Sequence, residues 1–375
     1  MIRIGIDARM YSDAFTGIGR VNHEIITRLV ERHTDVTWVL FMNQPQYSQY
    51  SFPPQVEKVL ADTPYYSVAE QTRFLAQLYR ERLDLMHFTN FNMPLGYMRP
   101  FVVTIHDLII TLFQKSTTRS PLLSWLQYLA YSGVIARAAY GSRQIITVSE
   151  STKRDILSQY RVREEKIRVI YNAVGAEFTP APLAEQTRIR ERYDLPGRFL
   201  LYVGNWSQHK NVPRLLRAFA KLRSHPDYHD VQLVITGTPN PRYPEVPDTI
   251  AQLQLQEQVR TVGHVPLTDL VALYTAATVH VHPSLYEGFG IMPLEALACG
   301  TPTLVSHTSS LPEVCEDSAL YCDPTSTLDI AQQLQRLLSD TALQNTLVAK
   351  GQERLQHFSW DVSAEQVWQV YQEAL

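Results

Sequence analysis

Apolar positions along the chain alternate between two kinds of stretch. Short β-branched runs at Ile2–Ile6, Val36–Phe41, Phe101–Ile105, Ile145–Val148 and Arg168–Tyr171 read as strands buried on both faces. Between them, Val21–Arg32, Ala69–Glu81, Pro121–Ala139 and Ser151–Gln159 repeat apolar residues at helical spacing. Strand–helix alternation predicts a parallel sheet covered by helices. The pattern restarts after a proline-containing stretch, 178–196, that carries Pro180, Pro182 and Pro196. It then gives strand Phe199–Val203, helix Pro213–Leu222 and strands Val231–Ile235, Val259–Val262, Val279–Val281 and Thr303–Val305. The fold class expected is α/β, with two Rossmann-like doubly wound parallel-sheet domains over 1–177 and 178–358. Residues 359–375 read as a helix, with Asp361 near its start, that packs back toward the first domain. Open sheets of this kind bind ligands at the carboxyl ends of their strands.

Composition narrows the class without naming a chemistry. With 45% hydrophobic and 19% charged residues the chain is an ordinary globular protein. A net charge of −3 argues against affinity gained by neutralising phosphates, so nucleic acid is not an expected partner. The charge is uneven: residues 1–175 hold 20 Lys+Arg and 15 Asp+Glu of the totals of 34 and 37, a net of +5. The remainder is therefore −8. That split fits different partners for the two halves, or scatter between two domains. Cys299, Cys315 and Cys322 show no metal-ligand spacing and suit a reducing compartment. The strand-like start leaves no room for a signal peptide, so the expected location is cytoplasmic. Ser120–Ala136 lacks charge but carries Ser124, Gln127 and Ser132, and is short for a membrane span. It reads as a buried or interfacial helix.

Four constellations carry candidate chemistry. Thr16-Gly17-Ile18-Gly19-Arg20 stands between the first strand and the first helix, where glycines admit a ligand close to the backbone and a helix N-terminus favours an anion. The dinucleotide fingerprint would want glycine where Asn22 stands and an acid where Asn43 stands, so dinucleotide binding is disfavoured; a tight turn alone is the plainer alternative. Thr104-Ile105-His106-Asp107 ends a buried strand, which aims His106 at the crevice unless it is a satisfied core histidine. Gly204-Asn205-Trp206-Ser207-Gln208-His209-Lys210-Asn211 repeats the glycine and helix start in the second half, and Lys210 adds a point charge suited to phosphate. The fourth is Pro283 to Pro302, in which the loop Glu287-Gly288-Phe289-Gly290-Ile291 leads into a helix with Pro293 in its first turn and Glu295 near its N-terminus. A carboxylate there can accept both hydroxyls of a ribose diol, and the amides of Gly290 and Ile291 can meet a diphosphate.

The fourth block, Glu287-Gly288-Phe289-Gly290 with Glu295, resembles the E-x7-E signature of glycosyltransferase family 4, retaining enzymes of GT-B fold. The likeness extends through Asp7-Ala8-Arg9, Gly17-Ile18-Gly19, Thr104 to Asp107, Val148-Ser149-Glu150, Tyr171-Asn172-Ala173, Gly204, Lys210-Asn211, Gly263-His264-Val265-Pro266 and Ala298 to Pro302. It implies two facing Rossmann-like domains with a catalytic cleft between them. It also implies that Glu295 binds the ribose of a nucleotide sugar, that Glu287 with the amides of Gly288, Phe289 and Gly290 holds the donor sugar, and that Lys210 and the Gly17–Gly19 backbone face the diphosphate. Gly263, His264 and Val265 would lie along the base, and His106 at the sugar near the acceptor. Members of the family usually need no metal, and the resemblance implies no cofactor besides the sugar nucleotide. One departure stands out: the family often has arginine where this chain has Asn205. Either Lys210 acts with helix dipoles alone, or Arg9, Arg20 or His209 supplies the second positive charge.

The resemblance thus implies transfer of a sugar from a nucleoside diphosphate to an acceptor hydroxyl with retained configuration, in polysaccharide or glycoconjugate assembly. Asp7-Ala8-Arg9, Gly17 to Arg20 and Val103 to Asp107 look like bacterial polysaccharide and O-antigen mannosyltransferases, which makes GDP-mannose the first donor and a UDP-sugar the second. A nucleotide-sugar epimerase of the same fold and a non-catalytic sugar-nucleotide sensor are the competing readings; intact Glu287, Glu295, Lys210 and His106 count against the sensor. The acceptor is a sugar or a lipid-linked sugar. Trp125, Tyr128 and Tyr131, with Arg119, Arg137, Arg143, Lys153 and Arg154 nearby, suit weak peripheral contact with an anionic inner membrane face, or else the aromatics pack in the core.

Overall fold

The computed structural model describes residues 2–12, 17–113, 121–241 and 243–375. Thr16, Arg119 and Ser120 lie outside the described residues, as do the side chains of Pro121 and Ser124. The chain divides into two compact units, Met1–Asn172 with Ser359–Leu375, and Ala173–Phe358.

In the first unit seven strands are seen among the described residues: β1 (Arg3–Asp7), β2 (Thr37–Met42), β3 (Val56–Leu60), β4 (Leu85–Phe88), β5 (Phe101–Ile105), β6 (Gln144–Thr147) and β7 (Ile167–Val169). They form one parallel sheet in the order β3-β2-β1-β4-β5-β6-β7. The order reverses direction between β1 and β4, where Ile4 pairs with Trp38 on one side and Leu85 on the other. One face packs Phe41, Phe74, Phe88, Tyr97 and Phe101 into a core with Ile135 and Ala138 of the helix Pro121–Gly141. The helices Gly17–Arg32 and Trp360–Ala374 belong to the same unit and are tied together: Arg28 and Arg32 both reach Asp361, and His33 stacks on Trp368 at 4.0 Å.

The second unit repeats the plan with β8 (Phe199–Tyr202), β9 (Gln232–Thr236), β10 (Val259–Gly263), β11 (Val279–His282), β12 (Thr303–Ser306) and β13 (Leu320–Cys322). The order is β10-β9-β8-β11-β12-β13, all parallel among the described residues, with its reversal between β8 and β11. Leu215, Leu216, Phe219 and Leu222 of helix Val212–Arg223 fill one face against Ile235, Val281 and Leu304. Cys299, Cys315 and Cys322 are free and buried, and burial pushes each thiol up to about 12.

Local differences from the pattern have physical causes. The first helix begins at Gly17, so Gly17 to Gly19 form its first turn instead of a loop ahead of Val21. The proline-containing stretch holds a helix, Leu183–Arg192, whose Arg188 and Arg192 pair with Asp269. Strands β3, β4 and β13 escape the apolar pattern. The edge strand β3 alternates with Glu57 and Lys58, as edges do to avoid pairing with other chains. The four residues of β4 include a buried histidine, His87, and β13 has only three residues.

Candidate active site

The reversal point of each sheet is where strand ends splay and leave room for a ligand. In the second unit two loops meet there, one after β8 and one after β11. The first runs from Gly204 to Asn211 and is pinned by Trp206, whose indole N–H donates to the Thr236 carbonyl at 3.0 Å. Asn211 takes the left-handed conformation, φ 61°. Its amide donates to the Pro283 carbonyl (2.9 Å), fastening the first loop to the second, and to the Pro324 carbonyl (2.7 Å), just after β13. The backbone N–H of Leu285 adds a bond to the His209 carbonyl at 2.7 Å.

These fastenings bring Lys210 to Glu287. The ammonium donates to both carboxylate oxygens, at 2.7 and 2.9 Å, with 10% and 7% of the two side chains exposed. His282, the last residue of β11, donates from Nε2 to Glu287 Oε1 at 2.7 Å. Burial alone would raise the Glu287 pKa. The Lys210 charge and the His282 hydrogen bond outweigh it and hold the carboxyl well below the usual carboxylate range. Ser309 and Ser310, in the turn after β12, brace the loop: the Ser309 hydroxyl accepts from Glu287 N at 2.9 Å, and Ser310 donates to the carbonyls of Glu287 (3.0 Å) and Phe289 (2.9 Å). Gly290 turns the chain into helix Ile291–Ala298 at φ 86°, and a Cβ there would meet Leu311 Cδ2 at 2.5 Å, so the position takes only glycine without a shift.

Glu295 lies one turn into that helix, past the N-terminal residues where the dipole acts most strongly. It is buried, and Oε2 accepts from the Tyr274 hydroxyl at 2.9 Å. Gly263 ends β10, with Val265 buried and His264 exposed beside it. Asn205 is exposed and uncharged; its side-chain oxygen accepts from Ser207 at 3.2 Å.

At the reversal point of the first unit the charges are arranged differently. Arg9 donates twice to Asp7, at 2.8 and 2.7 Å, and once to Glu70 at 2.8 Å. Its guanidinium lies over the rings of Phe74 (4.0 Å) and Tyr65 (4.5 Å). Next to it His106 is buried and donates from Nε2 to the Thr89 carbonyl at 3.0 Å; burial pushes its pKa down to about 4, so the ring is neutral. Thr89 also accepts from Asn22 at 2.9 Å and donates to the Asp7 carbonyl at 2.7 Å. Beneath them a cavity of about 30 Å³, lined by Asn22, His87, Thr89, Thr104 and His106 among others, has room for water.

Residues 15–178 match the family described as Glycosyltransferase Family 4, and residues 185–354 the family described as Glycosyl transferases group 1. A glycosyltransferase of Methanocaldococcus jannaschii, itself uncharacterised, is 31% identical over 78% of this chain and 74% of its own length. The chain is a family 4 glycosyltransferase. The O-antigen chain mannosyltransferase B of Escherichia coli is 27% identical across 95% of this glycosyltransferase and 96% of that protein. Among solved structures, Anabaena HepE in complex with UDP and glucose superposes with a TM-score of 0.77 at 19% identity, covering 99% of each chain, which shows the GT-B fold.

Of the residues singled out in the sequence, this glycosyltransferase brings Lys210 and Glu287 into direct contact, and sets Glu295 eight positions on in the helix that the glycine loop starts. Gly17 and Gly19 belong to the other unit, as does His106. Two of the three groups considered as replacements for the missing arginine are poorly suited. Arg9 is spent on Asp7 and Glu70, and His209 is neutral, pushed down to about 4 by burial and by Lys210. Arg20 is buried and faces Glu24 at 3.8 Å. The sequence reading missed His282, Tyr274, Ser309 and Ser310. Only His282 had a local signal: two histidines, His280 and His282, alternate with valines on one strand, so both project from the same face.

Proposed function

We propose that this glycosyltransferase moves a hexosyl group from a nucleoside diphosphate to an acceptor hydroxyl with retention, without a metal, and that the preferred donor is GDP-mannose. The carrying observation is the buried Lys210–Glu287–His282 cluster at the reversal point of the second sheet. A lysine held by one carboxylate can turn to a diphosphate as a point charge. Glu287 and the amides of Gly288, Phe289 and Gly290 are then available to the sugar, Glu295 to the ribose, and Gly263, His264 and Val265 to the base. The acceptor oxygen attacks the anomeric carbon on the face the diphosphate leaves. As the C–O bond to phosphate breaks and the new C–O bond forms, the acceptor proton passes to the departing phosphate oxygen. Positive charge fixed near that oxygen stabilises the transition state without reorganisation.

Mannose is favoured by the likeness to the O-antigen chain mannosyltransferase along nearly all of both chains. A UDP-sugar is the second reading, favoured by the UDP and glucose in the HepE complex. A panel of GDP- and UDP-sugars with glycan acceptors, read by release of nucleoside diphosphate, tests both. Release that rises with acceptor and persists in chelator is expected, and the anomeric coupling of the product reports retention. Release independent of acceptor would return the site to the epimerase or sensor readings.

A lipid-linked acceptor at the inner membrane face fits the first unit. No helix among the described residues is long and apolar enough to cross a membrane. Helix Pro121–Gly141 nevertheless exposes Trp125, Leu126, Tyr128 and Leu129, while Tyr131 packs edge-on against Tyr66 at 5.1 Å. Lys153 is paired with Glu164 at 2.9 Å, whereas Arg137 donates to the backbone carbonyls of Leu95 and Tyr97 and keeps its charge for an anionic surface beside the aromatics. Co-sedimentation with anionic vesicles at low salt, reduced at high salt, is expected; its absence at low salt would favour a soluble acceptor.

A further inference from the structure

The Glu287 carboxylate has two side-chain donors, Lys210 and His282, and they differ in freedom. Lys210 hangs on a flexible stem in a loop. His282 is wholly buried on β11, its ring stacked at 9° to Tyr202 (6.3 Å between centroids) and at 23° to His280 (5.9 Å). The ionisable groups around its ring are Glu287 and Lys210 on the site side, His280 and Tyr202 on its faces, and His209 from the loop after β8. Among the described residues its buried Nδ1 has no partner, whereas Nε2 faces the Glu287 carboxylate at 2.7 Å, which can only accept, and the Ser284 hydroxyl at 3.1 Å, which can accept from the same N–H. The proton of the neutral ring therefore sits on Nε2, and burial keeps a second proton off despite the pull of Glu287.

We propose that His282 is a positioning residue whose fixed Nε2–H holds the Glu287 carboxylate in place and ionised when Lys210 leaves it for the donor's diphosphate. The proposal rests on the reading of the site given above. A buried carboxylate that loses its cation must keep another donor, turn away or take up a proton. With His282 present the first course is open, and Lys210 is released without disordering the sugar-binding acid. With a ring of similar size and no donor, the exchange forces one of the other two.

The test compares wild type, His282→Phe and His282→Gln, whose amide can restore a donor at the place of Nε2. GDP and UDP binding is measured by calorimetry in two buffers of different ionisation enthalpy at pH 7, with kcat and KM determined for the donor found active. His282→Phe is expected to take up close to one proton on binding and to lose about 10- to 100-fold in kcat, the range for one hydrogen bond to a charged group. Wild type and His282→Gln are expected to bind without that uptake, with His282→Gln recovering most of kcat. Should His282→Phe not fold, nitrogen-15 imidazole spectra of the wild type carry the question: the Nε2–H signal of a neutral, carboxylate-bonded ring should persist when GDP or UDP is added. A ring that becomes doubly protonated or loses that bond overturns the proposal, as does a folded His282→Phe with wild-type proton count and kcat. A wild type that binds neither nucleotide removes the reading of the site itself, and the proposal with it.

Discussion

Each unit buries a small cluster of charge at the reversal point of its sheet, and the two clusters are built to opposite ends. In the first, one arginine satisfies two carboxylates, Asp7 and Glu70, through a rigid fork clamped between Tyr65 and Phe74. In the second, one lysine faces one carboxylate, and a histidine shares the load. Arginine's planar fork makes a permanent joint, whereas an ammonium on a flexible stem is a point charge that can change partners. Burial and ion pairing therefore do not by themselves mark a ligand site. What separates the two is how many buried anions the cation leaves behind when it departs. Glu287 is one anion and keeps the His282 side chain; Asp7 and Glu70 would be left as two buried anions with no cation, held by the backbone N–H groups of Arg9 (3.3 Å) and Tyr66 (2.9 Å) and by Asn92 (3.2 Å).

The largest effects are expected from removing each cation. Arg9→Met strands two buried carboxylates and should cost about 3–5 kcal/mol of stability in urea unfolding. The fraction that remains folded should still bind nucleoside diphosphate with unchanged affinity; weakened binding in that fraction would give Arg9 a place in the ligand site. Lys210→Ala should do the reverse. The rate of transfer is expected to fall on the order of 100- to 1,000-fold, the scale for a group aimed at charge that develops in the transition state. Donor KM should change much less, and the protein should stay folded because His282 still holds Glu287. Equal losses in binding and rate would mean that Lys210 grips the donor without acting on its departure.

Smaller effects are expected at the ribose acid and in acid. Glu295→Ala should weaken nucleoside diphosphate binding roughly tenfold or more, as expected for a lost hydrogen bond to a charged group. Unchanged affinity by calorimetry would remove Glu295 from the ribose. Acid gives the mildest test. His87 and His106 are neutral in the folded state, pushed down to about 3 and about 4 by burial, whereas in the unfolded chain they titrate near the ordinary value of 6.5. Their contribution to stability is complete above about pH 6.5 and is lost as pH falls toward their folded values, at up to about 1.4 kcal/mol per pH unit for each histidine. Thermal unfolding between pH 6.5 and 5 should show a slope of that sign, to which His209, His280 and His282, also pushed down by burial, add, and His106→Gln should flatten it by one histidine's share. An unaltered slope would show that His106 is charged or exposed in solution.

The sheets were legible because parallel strands buried on both faces leave long apolar runs, and the helices between them keep their period. Strands β3 and β13 were hidden by position: an edge needs less apolar surface, and Glu57 and Lys58 sit where a central strand would carry valines. Glu287 and Glu295 stood out because glycine, carboxylate and helix start coincide in one short stretch, and Lys210 because it stands between a glycine and a helix start. Their supports did not. Tyr274 lies 21 residues before Glu295, and Ser309 and Ser310 lie 22 and 23 residues after Glu287, distances over which only the folded sheet relates them. Arg9 shows the converse. Its motif was visible, but its partner Glu70 is 61 residues away, so an arginine that looked free to meet phosphate is already engaged.

The membership of helix Trp360–Ala374 in the first unit has a consequence for synthesis. Its Tyr371 hydroxyl meets His87 at 2.6 Å, and its Ser363 donates to the Tyr171 carbonyl at 2.6 Å. On the ribosome these partners are made early and must wait while the whole of Ala173–Phe358, contiguous in the chain, emerges and can fold as a unit. The domain translated first is therefore the one completed last, and a nascent chain halted after Phe358 should present a closed second domain beside a first domain with an uncovered flank.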